Sequence, residues 1–177
     1  MSQSVAEIYE EARKLIGTET AVVKGRYPVE YDPIRRHCDM VADANPLFLE
    51  PEYARQTKHG AVLCPPTLVG YFAENGAWPP VAAPLLPVIP TAGNRAINLT
   101  VEAEWFKPVK VGDQLYQKLR LADVYIKPIK LDPKAFWLQT ERVVTNQNGE
   151  VVYIERKLAV RHRTPEQIKA AEEAGDN

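Results

Sequence analysis

Between residues 95 and 105 the chain alternates with a period of two: Ile97, Leu99, Val101, Ala103 and Trp105 are separated by polar or small residues. An extended strand gathers such a set on one face, whereas a helix would scatter it around its circumference. The same reading continues downstream. Val111-Gly112-Asp113 is a turn, residues 114–126 form a second long strand, and residues 136–145 and 150–161 flank Asn148-Gly149, a dipeptide suited to a tight hairpin turn. The C-terminal half is therefore an antiparallel meander.

The N-terminal half carries helix and loop signals instead. Ser4 and Glu7 have capping-box spacing, and Val5, Ile8, Ala12, Leu15 and Ile16 share a helical face that Gly17 ends, which predicts a helix over 4–17. Residues 20–30, with Val22, Val23, Tyr27 and Val29, read as a strand with a bulge or edge at Gly25 and Pro28. Asp32-Pro33 reads as a helix cap followed by the first helical residue, and Ile34, His37, Cys38 and Val41 share a face before Asn45-Pro46 stops the helix. Residues 47–60 read as a loop and a short helix. Pro65-Pro66-Thr67 then opens an apolar run over 68–73 that suits a short buried helix. The class is α+β, an antiparallel sheet wrapped around one short central helix. With 177 residues the expectation is one domain over 1–177, ending in a polar tail over 164–177.

Charge narrows the partners. Lys and Arg number 22 against 23 Asp and Glu, so no basic surface calls for nucleic acid or an anionic membrane. The N-terminus is acidic and lacks an apolar signal core, which points to the cytoplasm. The longest uncharged stretch, residues 75–94, contains Pro79, Pro80, Pro84, Pro87 and Pro90 and would break any membrane helix. It reads as an extended apolar loop. Cys38 and Cys64 form no CxxC pair, so buried thiols are expected in place of a disulfide or a zinc site.

Two blocks carry chemistry. Asp43-Ala44-Asn45-Pro46-Leu47-Phe48 precedes the buried helix, and Trp105-Phe106-Lys107-Pro108-Val109-Lys110-Val111-Gly112-Asp113 starts at the end of the alternating strand. Together they resemble the Asp-x-Asn-Pro-aliphatic-His signature and the F-x-x-P-V-x-x-G-D turn of the MaoC-like, R-specific enoyl-CoA hydratases. The resemblance spans roughly residues 20–162 and implies a hot-dog fold. In that family the Asp and His activate a water that adds across the double bond of an enoyl thioester.

Here Asp43 holds the Asp position, but Phe48 stands where the His belongs, and phenylalanine exchanges no proton. Pro65-Pro66 replaces a His-Gly pair whose glycine N–H would polarise the thioester carbonyl, unless Thr67 and Leu68 supply that donor. The pattern resembles the degenerate MaoC-like subunits of heteromeric 3-hydroxyacyl dehydratases and steroid side-chain hydratases. The implied role is a largely non-catalytic subunit that shapes the tunnel for a long or bulky acyl group, with Asp43 a catalytic remnant. The implied partners are an acyl-CoA or acyl-carrier-protein thioester and a second hot-dog subunit bearing the Asp and His. Asn45, Phe48, Thr67, Trp78, Leu85, Leu86 and Ile89 are the expected substrate contacts.

Each assignment has a structural competitor. Asp43 also suits a helix-terminating turn, and Asn45-Pro46 is turn chemistry in any case. His59, in Lys58-His59-Gly60, is the one candidate for a relocated base beside Asp43, in a self-sufficient hydratase or thioesterase; otherwise it is a surface residue. His37 and His162 point to no role. Lys107, Lys110, Lys127 and Lys130 are candidates for coenzyme A phosphates or simply solvated. No phosphate loop, metal-ligand spacing or redox cofactor is implied. An acyl-CoA-binding scaffold without turnover is the reading from another class.

Overall fold

The computed structural model describes residues 3–74, 76, 84–173 and 175. In chain order they form α1 (Val5–Arg13), β1 (Val23–Lys24), α2 (Tyr31–Val41), α3 (Pro46–Leu49), α4 (Pro51–Gln56), a 3-10 turn (Pro66–Leu68) running into α5 (Val69–Ala73), then β2 (Arg95–Trp105), β3 (Tyr116–Ile126), β4 (Phe136–Thr145), β5 (Val151–His162) and α6 (Pro165–Glu173). The strands make one antiparallel sheet in the order β1-β3-β4-β5-β2. The alternating run and the hairpin are where the period of two placed them. No helix among the described residues is long and apolar enough to cross a membrane.

Three expectations change in the N-terminal half. The first helix is shorter than 4–17: its capping box forms, with Ser4 accepting from Glu7 N–H and Glu7 accepting from Ser4 N–H at 2.8 Å, but regular helix stops at Arg13. Gly17, at φ 88, then turns the chain so that its N–H donates to Leu121 O. The strand expected over 20–30 shrinks to two residues. A Cβ on Gly25 would lie 2.1 Å from Phe72 O, so the chain is pressed against the central helix there, and Pro28 has no N–H to give. Finally, α2 starts at Tyr31, with Glu30 as cap, so Pro33 is the third helical residue. A proline is tolerated there because first-turn N–H groups lack intrahelical acceptors. Asp32, inside that turn, pairs with Arg35 and Arg36.

Strand register sorts the side chains of the sheet into two faces. Gln117, Leu119 and Leu121 of β3 lie opposite Val144, Arg142 and Thr140 of β4, which lie opposite Tyr153, Glu155 and Lys157 of β5. This is the inner face, which the helices cover. At one end α5 packs Val69 and Phe72 against Leu115, Val144 and Tyr153, joined by Ile34 and Cys38 of α2 and by Phe48. At the other end α1 packs Val5 and Ala12 against Leu121, Val124, Phe136 and Leu138, with Leu86 and Ile89 laid alongside. Between the two apolar ends runs a polar belt of Gln117, Thr140, Arg142 and Glu155. On the outer face Arg156 bridges Glu104 and Glu141, and Arg120 pairs with Glu141.

One ion pair is fully withdrawn from water. Asp132, in the β3–β4 connection, is 0% exposed and takes Arg163 Nη2 at 2.8 Å and the Arg163 and Lys134 backbone N–H groups. Burial alone would raise its carboxyl pKa, but the Arg163 and Lys134 donors outweigh that and hold it below the ordinary value. Removing one partner leaves an uncompensated buried charge, so Asp132→Ala should lose about 3–5 kcal/mol in urea unfolding. Because the folded pKa lies below the unfolded one, the contribution is full above the ordinary carboxylate range and is lost as pH falls through the folded value. The stability gap between wild type and Asp132→Asn should therefore narrow on acidification toward pH ~3.

Both cysteines are buried and free. Burial, with smaller contributions from Cys38 and Asp113, pushes the Cys64 thiol up to about 12, and burial beside Asp43 and Asp39 raises Cys38. The native protein should react with neither equivalent of a disulfide reagent at pH ~8 until it is unfolded. The unfolded Cys64 thiol ionises near 9.0, well below its folded value, so this burial favours the native state below pH ~9 and its benefit fades as pH rises toward the folded pKa.

Candidate functional site

The two sequence blocks meet around residues 62–64. Leu63 N–H donates to Leu47 O of the first block, while Cys64 N–H donates to Val109 O and Val62 O accepts from Val111 N–H of the second. Gly112, at φ 96, turns the second block so that its N–H reaches Val29 O, and Asp113 Oδ2 accepts from Lys110 N–H. A residue with a Cβ is strained at that angle. This clasp delivers Pro65-Pro66-Thr67 to the sheet, where Trp105 Nε1 donates to Pro66 O at 2.9 Å.

Asp43 and Asn45 form successive side-chain turns. Ala42, at φ 55, reverses the chain after α2; Asp43 Oδ1 accepts from Asn45 N–H, and Asn45 Oδ1 accepts from Leu47 N–H to cap α3. Asp43 thus performs the turn role that was weighed against a catalytic one. Phe48 is 8% exposed and packs in the core around α5. A histidine there would have to be turned out of that core to meet a substrate.

His59 lies in the turn after α4, where its backbone N–H donates to Thr57 Oγ1. Among the described residues its ring has no hydrogen-bond partner, and no hydrogen bond or ion pair joins it to Asp43. The residue that sequence reasoning missed is His37. On α2 its Nε2 lies 3.0 Å from Thr67 Oγ1, at the start of the central helix. Only the tertiary approach of two segments thirty residues apart creates this pair, so no sequence spacing signals it. Leu68 N–H is already committed to Pro65 O as the first intrahelical donor of the 3-10 turn, and Thr67 N–H stands one residue before it. Of the two donors considered for a carbonyl, Thr67 is the one left.

The described part of the apolar loop divides between packing and exposure. Trp78 lies outside the described residues. Leu86 and Ile89 pack into the α1 cluster, and Leu85 is 80% exposed. Of the four lysines weighed for phosphates, Lys107 pairs with Glu150, and Lys127 lies 5.3 Å over the Trp137 ring. Among the described residues no three His, Cys, Asp or Glu side chains form a group suited to a metal ion.

The family profile described as FAS1-like, dehydratase domain region, matches residues 14–155. A UPF0336 protein of Thermobifida fusca is 26% identical over 98 residues, 55% of this chain and 62% of that protein. The chain therefore spans under two thirds of the length of that curated relative. Among solved structures, the ChsH1-ChsH2 complex of Mycobacterium tuberculosis aligns with a TM-score of 0.68 at 16% identity, over 91% of this chain and 97% of the matched one. A MaoC-like dehydratase from Rhodospirillum rubrum aligns with a TM-score of 0.59 at 21% identity, over 85% and 94%. The HadBC 3R-hydroxyacyl-ACP dehydratase complex of M. tuberculosis aligns with a TM-score of 0.53 at 18% identity, over 82% and 96%. The short central helix against a five-stranded antiparallel sheet is the hot-dog fold of MaoC-like dehydratases, and the chain belongs to the FAS1-like dehydratase-region family.

Proposed function

We propose that this chain is one subunit of a heteromeric enoyl-thioester hydratase, acting in reverse as a 3-hydroxyacyl thioester dehydratase, and that it shapes the acyl site without running the proton transfers. Hydration of a 2-enoyl thioester removes a proton from water as its oxygen bonds to C3, and delivers a proton to C2. A group that exchanges protons is required beside the double bond. The observation that carries this reading is Phe48, an apolar core residue at the position where the family signature has its His. The partner hot-dog subunit supplies the Asp and His, and the substrate is an acyl-CoA or acyl-carrier-protein thioester.

A second observation supports a partner. The edge strand β2 is exposed along all eleven residues, with Ile97, Leu99, Val101 and Trp105 presenting apolar surface on the side that no described strand pairs. An uncovered strand of that length and composition invites pairing with another chain. Two of the solved structures that this chain resembles, ChsH1-ChsH2 and HadBC, are complexes.

One observation favours a self-sufficient enzyme, the approach of His37 to Thr67. A histidine hydrogen-bonded at the start of the central helix has the chemistry of a general base, in place of the His59 pair considered from sequence.

The chain purified alone should show no hydration of trans-2-enoyl-CoA, and activity should appear only in a mixed assembly with a MaoC-like partner, with native mass read on both samples. Phe48→His should leave the isolated chain inactive and cost about 2–4 kcal/mol, since it puts a polar ring into a packed apolar site. His37→Gln should change the activity of the mixed assembly by less than about twofold, well short of the loss expected on removing a general base. Activity of the pure chain that His37→Gln abolishes would establish the self-sufficient reading instead.

A further inference from the structure

The segment that opens the central helix, Pro65-Pro66-Thr67, lacks two backbone donors, because neither proline has an N–H. Cys64 N–H, which reaches Val109 O, is the last backbone donor before the prolines, and Leu68 N–H goes to Pro65 O within the turn itself. Pro66 and Thr67 are exposed. A 3-10 turn of three residues running into a helix of five is too short to fix its own place. Side chains from outside the segment must do so.

At the start of the helix that side chain is Trp105. It is the last residue of β2, stands opposite Tyr153 in the register, and keeps its ring 5.4 Å from the Tyr153 ring. From there Nε1 donates to Pro66 O at 2.9 Å, across thirty-nine residues of chain. The same carbonyl accepts from Val69 N–H, so one oxygen carries both the first turn and its tie to the sheet. At the far end Arg142 has the matching part: it pairs with Glu74 at 2.9 Å and with Glu155 at 3.2 Å, while the Tyr153 hydroxyl donates to Glu155 at 3.0 Å. There Arg142 and Glu155 line, with Gln117 and Thr140, a cavity of about 240 Å³. The inner face of the sheet thus holds the short helix at both ends.

Two departures from the family signature meet in the Trp105–Pro66 bond. Counted back from Pro108, Trp105 stands at the opening Phe of F-x-x-P-V-x-x-G-D, and Pro65-Pro66 stands at the His-Gly pair. A phenylalanine has no hydrogen to donate, whereas an indole has one. We infer that Trp105 is a positioning residue of the acyl site: through Pro66 it sets where Thr67 stands, and Thr67, with His37 Nε2 3.0 Å from its hydroxyl, meets the acyl thioester. The inference rests on the acyl-thioester reading above and adds to it a residue that itself touches no substrate. A chain that binds the thioester without transferring protons gives uniform binding, whose loss raises KM and leaves kcat in place.

Trp105→Phe keeps a ring against Tyr153 and removes only the donor. In an assembly with the MaoC-like partner whose native mass matches the wild type, it should raise KM for trans-2-enoyl-CoA about fivefold with kcat within about twofold. A second measurement is made on the unmutated assembly. The chain has three tryptophans, so fluorotryptophan labelling gives three fluorine NMR signals, assigned by Trp105→Phe or, where that variant does not fold, by replacing the other two in turn. Saturated acyl-CoAs of four, eight and twelve carbons are the probes. At least one should shift the Trp105 signal and leave that of Trp137, whose Nε1 is held by Lys127 O, where it stands. A KM within about twofold of the wild type, or a Trp105 signal that no bound acyl-CoA moves, overturns the inference and leaves the acyl-thioester reading standing. Absence of both acyl-CoA binding and turnover in the unmutated assembly overturns that reading, and the inference with it.

Discussion

The inner face of the sheet must be covered, and the central helix is too short to cover it. Regular helix ends at Ala73, after five residues, so α5 shields only the end of the face that carries Leu115, Val144 and Tyr153. Fully burying a large apolar side chain is worth about 1.5–3 kcal/mol, so the second half of the face cannot be left open to water. The N-terminal helix and the Leu86–Ile89 part of the proline-rich segment take over there, and Tyr9 meets the Phe136 ring edge-on at 6.1 Å. Among the described residues there are thus two covered ends and a seam between them.

That seam explains the polar belt. Where neither cover reaches among the described residues, Gln117, Thr140, Arg142 and Glu155 stand in place of apolar side chains. Arg142 ties the seam to the helix above it through Glu74 and to the neighbouring strand through Glu155. Ion pairs that water still reaches contribute little to stability, so their value here is positional: they fix a guanidinium and a carboxylate within a half-closed cavity.

The site at the other end of α5 follows from backbone hydrogen bonds more than from side chains. Residues 62–64 hold the first block on one side and the second on the other, so Asp43, Asn45 and Gly112 serve the clasp before they serve any reaction. The chain keeps the turn residues of its signature and the architecture of the family, and it carries Phe48 where the signature has its His.

The sheet was legible in the sequence because period-two alternation and an Asn-Gly turn are local signals: the strands at 95–105 and 136–145 lie where the pattern puts them. Residues 20–30 were not, because their strand character loses to the close approach of Gly25 to Phe72, a contact made across the fold. The family blocks and the substitutions at Phe48 and Pro65-Pro66 were readable directly. The role of Leu86 and Ile89 was not, since an apolar residue in a loop carries no mark of which surface it will cover. His37 reaches Thr67, and Arg142, Glu155 and Gln117 reach one cavity, only through the pairing of strands and the packing of α2. By itself the sequence determined the α+β class, the hairpin, the turn chemistry and the loss of the histidine, all properties of neighbouring residues. Tertiary structure alone decided which polar groups share a cavity and which apolar ones leave it, because those outcomes depend on contacts between segments far apart in the chain.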